Sequence, residues 1–309
     1  MLESLKFVGT QVLILFIIMA LGVLCRKLRL LNDESVKGLS DLMLYLITPC
    51  MMLKAFQQSF DRALLRGFLI TAAATAVLYA AEIGLAVLLL RDRDEARKRV
   101  LRFGAVFSNC GYMALPLLQS LWGSEAVLYG AAFNAVHVFY LWTYGLSLMN
   151  GGKEKVSLRK AVVNPGTLST LLGLILFFCG IRLPTLIARP VEYLAAMNAP
   201  IPMLIIGYYL AGMDLRTVLR TRGEYVMLAL RLVFVPLLML GGLWICGVRG
   251  VVLTTNVVCI SAPVATIGTM FATKYDADPT LSAGMVAVST VLSVLTMTLV
   301  VGFARYIAF

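Results

Sequence analysis

The sequence predicts an all-α polytopic membrane protein: ten transmembrane helices as a 5+5 inverted repeat, with helices 4 and 9 broken where they cross. Three observations lead there. Hydrophobic residues make up 60% of the 309 and charged residues 14%, against about 45–50% and 25% in a soluble globular chain, and the mean hydropathy is +0.89. The apolar runs are helix-length rather than the ten-residue alternating segments of a barrel. The runs are also interrupted, and the interruptions recur at a half-chain period.

In chain order the spans fall at about 7–25, 36–57, 68–90, 100–122, 126–149, 164–181, 187–213, 224–247, 251–274 and 281–307. The first is read as a retained span and not a signal peptide, because Glu3 and Lys6 offset one another and no small-residue cleavage site follows. Lys37 and Asp41 open the second and Pro49 interrupts it. The fourth, VLRFGAVFSNCGYMALPLLQSLW, is long enough to cross a bilayer, yet Ser108, Asn109, Cys110 and Gly111 sit at its centre and Pro116 follows. Asn favours local side-chain-to-backbone bonds, Gly costs a helix about 1 kcal/mol, and Pro removes a backbone donor. Broken backbone at membrane depth is tolerated only in protein or beside a wet cavity. The ninth span carries Ser261-Ala262-Pro263.

The halves correspond. Pro49 and Pro202 are 153 residues apart, Pro116 and Pro263 are 147. Residues 1–149 form the first repeat, 150–163 a hydrophilic cytoplasmic linker and 164–309 the second repeat. Five spans per half is odd, so the second half enters the membrane from the opposite side. Paired broken helices in such a repeat point to a midplane binding site.

Lys and Arg set the orientation. Loops after odd-numbered spans hold 18: Arg26, Lys27, Arg29 and Lys37; Arg91, Arg93, Arg97, Lys98, Arg99 and Arg102; Lys153, Lys155, Arg159 and Lys160; Arg216, Arg220 and Arg222; and Lys274. The other side holds eight: Lys6, Lys54, Arg62, Arg66, Arg182, Arg189, Arg249 and Arg305. Both termini are therefore expected outside the cytoplasm. The net charge of +11 follows from this bias and does not imply nucleic acid, since aromatics do not interleave with the basic residues.

At each break the following half-helix offers free N–H groups and a positive dipole end, which favour an anion. In the fourth span these donors lie around Cys110 to Met113, with Asn109 able to hydrogen-bond a ligand. In the ninth they lie from Val264 to Thr266, beside Ser261 and Pro263. Ser108, Pro116 and Pro263 are the helix-breaking residues. The alternative for Asn109 and Ser261 is that they only satisfy freed backbone.

Glu82 and Arg231 lie at similar depth, about 12 Å from the cytoplasmic end at 1.5 Å per residue, and are expected to pair, because a lone charge there costs about 2.5–3.5 kcal/mol. The pair is either structural or a coupling handle. His137, the only histidine, follows Asn134 by one turn. It is either a proton relay or a histidine satisfied by a carbonyl. Lys274 either snorkels to the surface or reaches toward the pocket. The six cysteines lie in or at the ends of apolar spans without a C-x-x-C pattern, and read as small core residues. No metal or cofactor is implied. The phosphate-loop, H-E-x-x-H and G-x-S-x-G patterns are missing, so the chain is not expected to be an enzyme or an ATP-driven pump.

Four stretches carry a resemblance: FSNCGYMALPLLQSLWG at 107–123, NAVHVFYLWTYG at 134–145, NPGTLSTLLGLIL at 164–176 and APVATIGTMFATKYDADPTLSAGMVAVSTVLSVLT at 262–296. With them the chain resembles the auxin efflux carrier family, which includes plant PIN carriers and bacterial dicarboxylate permeases. The resemblance implies a scaffold of spans 1, 2, 6 and 7, often dimeric, and a transport domain of spans 3–5 and 8–10 that moves as an elevator. A substrate carboxylate would bind where spans 4 and 9 cross. Asn109 matches the asparagine of the first crossover and Pro263 the proline of the second. The chain departs from the plant pattern at Ser108, at Val264, in having no early acid in the third span, and in placing Lys274 one position off.

The expected function is secondary transport of a small organic anion such as malonate, malate or an auxin-like acid across the cytoplasmic (inner) membrane. The site is expected to comprise Asn109, Cys110, Gly111, Asn134, Ser261, Pro263, Val264 and Thr266. The expected partners are the anion, the lipid bilayer and a second copy of the chain. Two alternatives are a sodium-coupled symporter of the bile-acid carrier type, and a ligand sensor that binds without transporting.

Overall fold

The computed structural model describes residues 2–58, 61–152, 165–212, 219 and 221–309. The linker expected at 150–163 lies, beyond Gly152, outside the described residues, with Lys153, Lys155, Arg159 and Lys160; so do Asn164, Arg216 and Arg220.

The described residues form helices and no strands. Seven helical stretches are long and apolar enough to cross a membrane, and shorter apolar helices lie beside them. In order they are α1 (Leu2–Lys27), α2 (Asp33–Ala55), α3 (Arg62–Leu89), α4 (Glu95–Val106) and the stretch Cys110–Met149. That stretch turns at Gly123, whose φ of 69° suits glycine, giving α5 (110–122) and α6 (124–149). Then come α7 (Pro165–Phe178), α8 (Thr185–Ala196), α9 (Pro200–Leu210), α10 (Arg222–Ile245), α11 (Gly250–Ser261), α12 (Ile267–Lys274) and α13 (Pro279–Ala308).

Polar residues at helix starts accept the first free N–H groups. Asp61 accepts from Ala63, Asp94 from Ala96 and Arg97, and Asp278 from Leu281, while Asn32 and Ser35 form a reciprocal capping box.

α1 packs on α9 and α13; the second half of α2 packs on α7 and α8. The α1–α9 crossing is close because Gly22 and Gly207 face one another's backbone, and a Cβ on either would strike a carbonyl of the other helix. Arg26 at the end of α1 donates to the Tyr208 carbonyl at 2.9 Å, and the Tyr208 hydroxyl donates to Asp33 at 2.8 Å, so α1, α2 and α9 are tied at one end. α3 packs along α6, and α11 lies among α10, α13 and the 115–140 stretch of α5–α6. Leu13, Ile17, Leu21 and Leu24 of α1 point outward, a stripe that fits lipid and would be an aggregation hazard in water.

Two of the expected proline interruptions, at Pro49 and Pro116, are not breaks, and Pro236 behaves in the same way. Pro49, Pro116 and Pro236 each follow a π-helical turn, Met43–Ile47, Cys110–Ala114 and Leu230–Phe234 respectively. The proline ring clashes with the carbonyl four residues back. That carbonyl belongs to residue 45, 112 or 232, in each case inside the widened turn, which relieves the clash without ending the helix. Pro116 therefore lies in regular helix and does not itself break the fourth span. The real interruption there is 107–109.

Candidate functional site

α4 ends at Val106, and the chain runs extended through Phe107 and Ser108 before the π turn that begins at Cys110. α11 ends at Ser261, and Ala262 (φ −61°, ψ 148°) leads into Pro263 and Val264 before α12. The two unwound segments cross and pair. Ser108 and Val264 form an antiparallel bridge, the Asn109 N–H donates to the Pro263 carbonyl at 2.7 Å, and the Ala265 N–H donates to the Phe107 carbonyl at 2.9 Å. Each break thus satisfies part of the other's freed backbone.

Other donors are spent internally. The Val264 N–H donates to Ser289 Oγ on α13 at 3.1 Å, and the Met113 N–H to the Asn109 carbonyl at 3.1 Å. The donors expected at Val264 to Thr266 are thus partly used. The first groups of the second arm outside these bonds are the N–H groups of Thr266 and Ile267.

Side chains at the crossing remain uncommitted. Asn109 is 5% exposed, and its Nδ2 has no partner among the described residues; neither has the Oγ of Ser261. A buried polar atom left so costs about 1–3 kcal/mol. Asn134 is brought to the same place: its Oδ1 accepts from Cys110 Sγ at 3.7 Å and would lie 3.7 Å from a Cβ on Gly111. Asn109, Cys110, Gly111, Asn134, Ser261, Pro263 and Val264 therefore gather at one crossing.

Thr266 stands at its edge, lining a crevice of about 10 Å³ with Ile206, Tyr209 and Leu210 of α9 and Val286, Ala287 and Thr290 of α13. That is scarcely room for one water.

The geometry is that of two half-helix N-termini with spare donors inside a membrane bundle. A family model described as "Membrane transport protein" matches residues 7–158 and 152–301. The chain belongs to that family. It is the auxin efflux carrier-like family that the sequence resembles, and the protein is a multi-pass membrane transporter. Similar proteins include an "Uncharacterized transporter" of Methanothermobacter thermautotrophicus, 24% identical over 95% of this chain and 98% of that one. Another is a Rhizobium meliloti protein named "Putative malonate transporter", 28% identical over 93% of this chain and 92% of its own length.

Beneath the crossing of this transporter lies the charge pair. Arg231 Nη1 is 3.4 Å from Glu82 Oε1, and the two residues are 0% and 2% exposed. Arg231 also donates to the carbonyls of Ala105 (3.3 Å), Val106 (3.1 Å) and Ile260, bonds that equal depth in the sequence does not reveal.

His137 is buried on α6, and its partner is not a carbonyl: its Nδ1 lies 2.6 Å from the Tyr79 hydroxyl of α3. Tyr79 stacks on Tyr140 and Phe107, which ties His137 to the aromatic packing behind the first break. Lys274 does not join the crossing. It ends α12 exposed, with Nζ 5.1 Å from the Tyr275 ring centroid.

Sequence reading missed Ser289 and a network between α3 and α11. In that network Asn256 donates to Thr71 Oγ1 at 3.1 Å, and Thr75 donates to the Thr71 carbonyl. Asn256 inside an apolar helix was the available signal. Ser289 had none, being one hydroxyl among several on α13.

Proposed function

We propose that this transporter moves a small dicarboxylate such as malonate or malate across the cytoplasmic membrane, with one carboxylate held at the crossing. The observation that carries this reading is the buried Asn109 amide with a free Nδ2, beside half-helix ends whose dipoles favour negative charge. Gly111 permits close approach, and Asn134, Ser261 and Thr266 complete the polar lining. The Rhizobium meliloti relative named for malonate supports this substrate class.

The helices are read as ten crossings in two inverted halves: α4 with α5 forms the fourth, α8 with α9 the seventh and α11 with α12 the ninth. The antiparallel pairing of the breaks is what an axis in the membrane plane would generate. α1, α2 and α7–α9 then form the scaffold and the site of homodimer contact. α3–α6 and α10–α13 form the moving unit, which slides against α9 to open the crevice at Thr266. The bias of Lys and Arg places both termini on the extracytoplasmic side of the inner membrane.

The test is uptake of labelled malonate, malate and indole-3-acetate into proteoliposomes. Saturable flux of one acid, competed by its analogues, is expected. Binding without flux would support a sensor, and neither binding nor flux would overturn the reading.

A further inference from the structure

The C-terminal ends of α4 and α11 pose a physical problem that the crossing creates. In an unbroken helix the Ala105 carbonyl would accept from the Asn109 N–H, but that N–H is given to Pro263. The Ile260 carbonyl would accept from the Val264 N–H, but that one is given to Ser289. Val106 is the last residue of α4, and its carbonyl is released by the same break. Three carbonyls are thus left facing one buried point, each at a helix end that carries negative partial charge. No bulk water reaches this depth, and elsewhere such half-helix C-terminal ends coordinate a bound cation.

Here the point is filled by the chain. Arg231 donates to all three carbonyls and faces Glu82. It is delivered by the π turn Leu230–Phe234 of α10, and its planar five-donor head reaches both helix ends together. Resting on the transport reading above, we propose that Arg231 is a tethered cation: a positioning residue that occupies the place of a coupling ion and clamps the two broken helices in register. Transport by this chain therefore needs no sodium.

The experiment uses purified full-length protein and Arg231→Ala. Thermal unfolding in detergent and malonate uptake in proteoliposomes are measured in sodium, choline and millimolar guanidinium chloride at matched ionic strength. The native protein is expected to unfold and transport equally in sodium and choline. Arg231→Ala is expected to unfold at lower temperature and to lose more than about tenfold in uptake. Guanidinium, but not choline, is expected to restore both, a rescue that loss of mere packing would not show. If Arg231→Ala cannot be purified, Arg231→Lys, which keeps a cation, is expected to fold where neutral Arg231→Gln does not.

The proposal is overturned if sodium stabilises the native protein or is required for its flux. It is equally overturned if Arg231→Ala or Arg231→Gln behaves as native without guanidinium, or if guanidinium fails to restore a folded Arg231→Ala. Unfolding reads the clamp without any substrate. A native protein that moves no acid but shows the guanidinium-specific restoration would sink the transport reading and leave the clamp standing.

Discussion

The two arms of the crossing look alike and are used differently. In the first, Asn109 gives its backbone N–H to the other arm and keeps its side-chain amide free, with Gly111 and Asn134 beside it. In the second, the Val264 and Ala265 donors are both committed, one to Ser289 and one to Phe107. The first arm keeps a vacant buried amide donor at a cost in stability; the second commits its first two N–H groups and is left with the Ser261 hydroxyl. On the proposed reading the two breaks divide their work, the first offering the Asn109 amide to a ligand and the Val264–Ser289 and Ala265–Phe107 bonds of the second fixing the shape of the crossing.

The largest effect should come from the residue that serves both arms. Exchanging Glu82 and Arg231 will not restore uptake, although the swap keeps an ion pair. A carboxylate at position 231 would face three carbonyls that now accept from Arg231. Recovery of flux in the double variant would show that the pair matters only as a pair.

Asn109→Ala comes next. A hydrogen bond to a charged group is worth about 1.5–3 kcal/mol, so uptake should fall by roughly 10- to 150-fold while the unfolding temperature holds. Equal losses of stability and uptake would erase the proposed difference between the arms.

Ser289→Ala should behave in the opposite way. It leaves the Val264 N–H buried without its acceptor, so about 1–3 kcal/mol of stability is lost with a smaller change in the KM for malonate. A large rise in KM with no thermal shift would mean that the second arm also reads the substrate.

Tyr79→Phe removes the bond to His137 and should cost about 0.5–1.5 kcal/mol. If the pH profile of uptake is unchanged, His137 belongs to the packing behind the first arm; a displaced profile would return it to proton relay. Smallest of all, Lys274→Ala should leave uptake nearly as it was, since substitutions on exposed surface usually fall within about 0.5 kcal/mol. A strong defect would place Lys274 at the crossing in another conformation.

The breaks were legible because Ser, Asn and Gly at the centre of an apolar run, and Ser-Ala-Pro in another, have no low-energy place in a plain spanning helix. The prolines were less legible. Pro49, Pro116 and Pro236 share one local demand, relief of a clash with the carbonyl four residues back, and a π turn meets it as well as a break does. Sequence alone does not choose between the two. Glu82 and Arg231 could be matched by depth because membrane insertion makes every buried charge conspicuous.

By itself the sequence determined a helical membrane protein and where two of its helices fail, since a bilayer punishes polar atoms and unpaired backbone wherever they fall. It also determined that the failures lie about half a chain apart. Only the tertiary structure decided which freed groups find one another: Asn109 with Pro263, Phe107 with Ala265, Val264 with Ser289, and Arg231 with three carbonyls from two helices. Backbone N–H and carbonyl groups are the same at every residue, so the sequence carries no mark of which will be left over. That is settled when the two breaks are brought face to face.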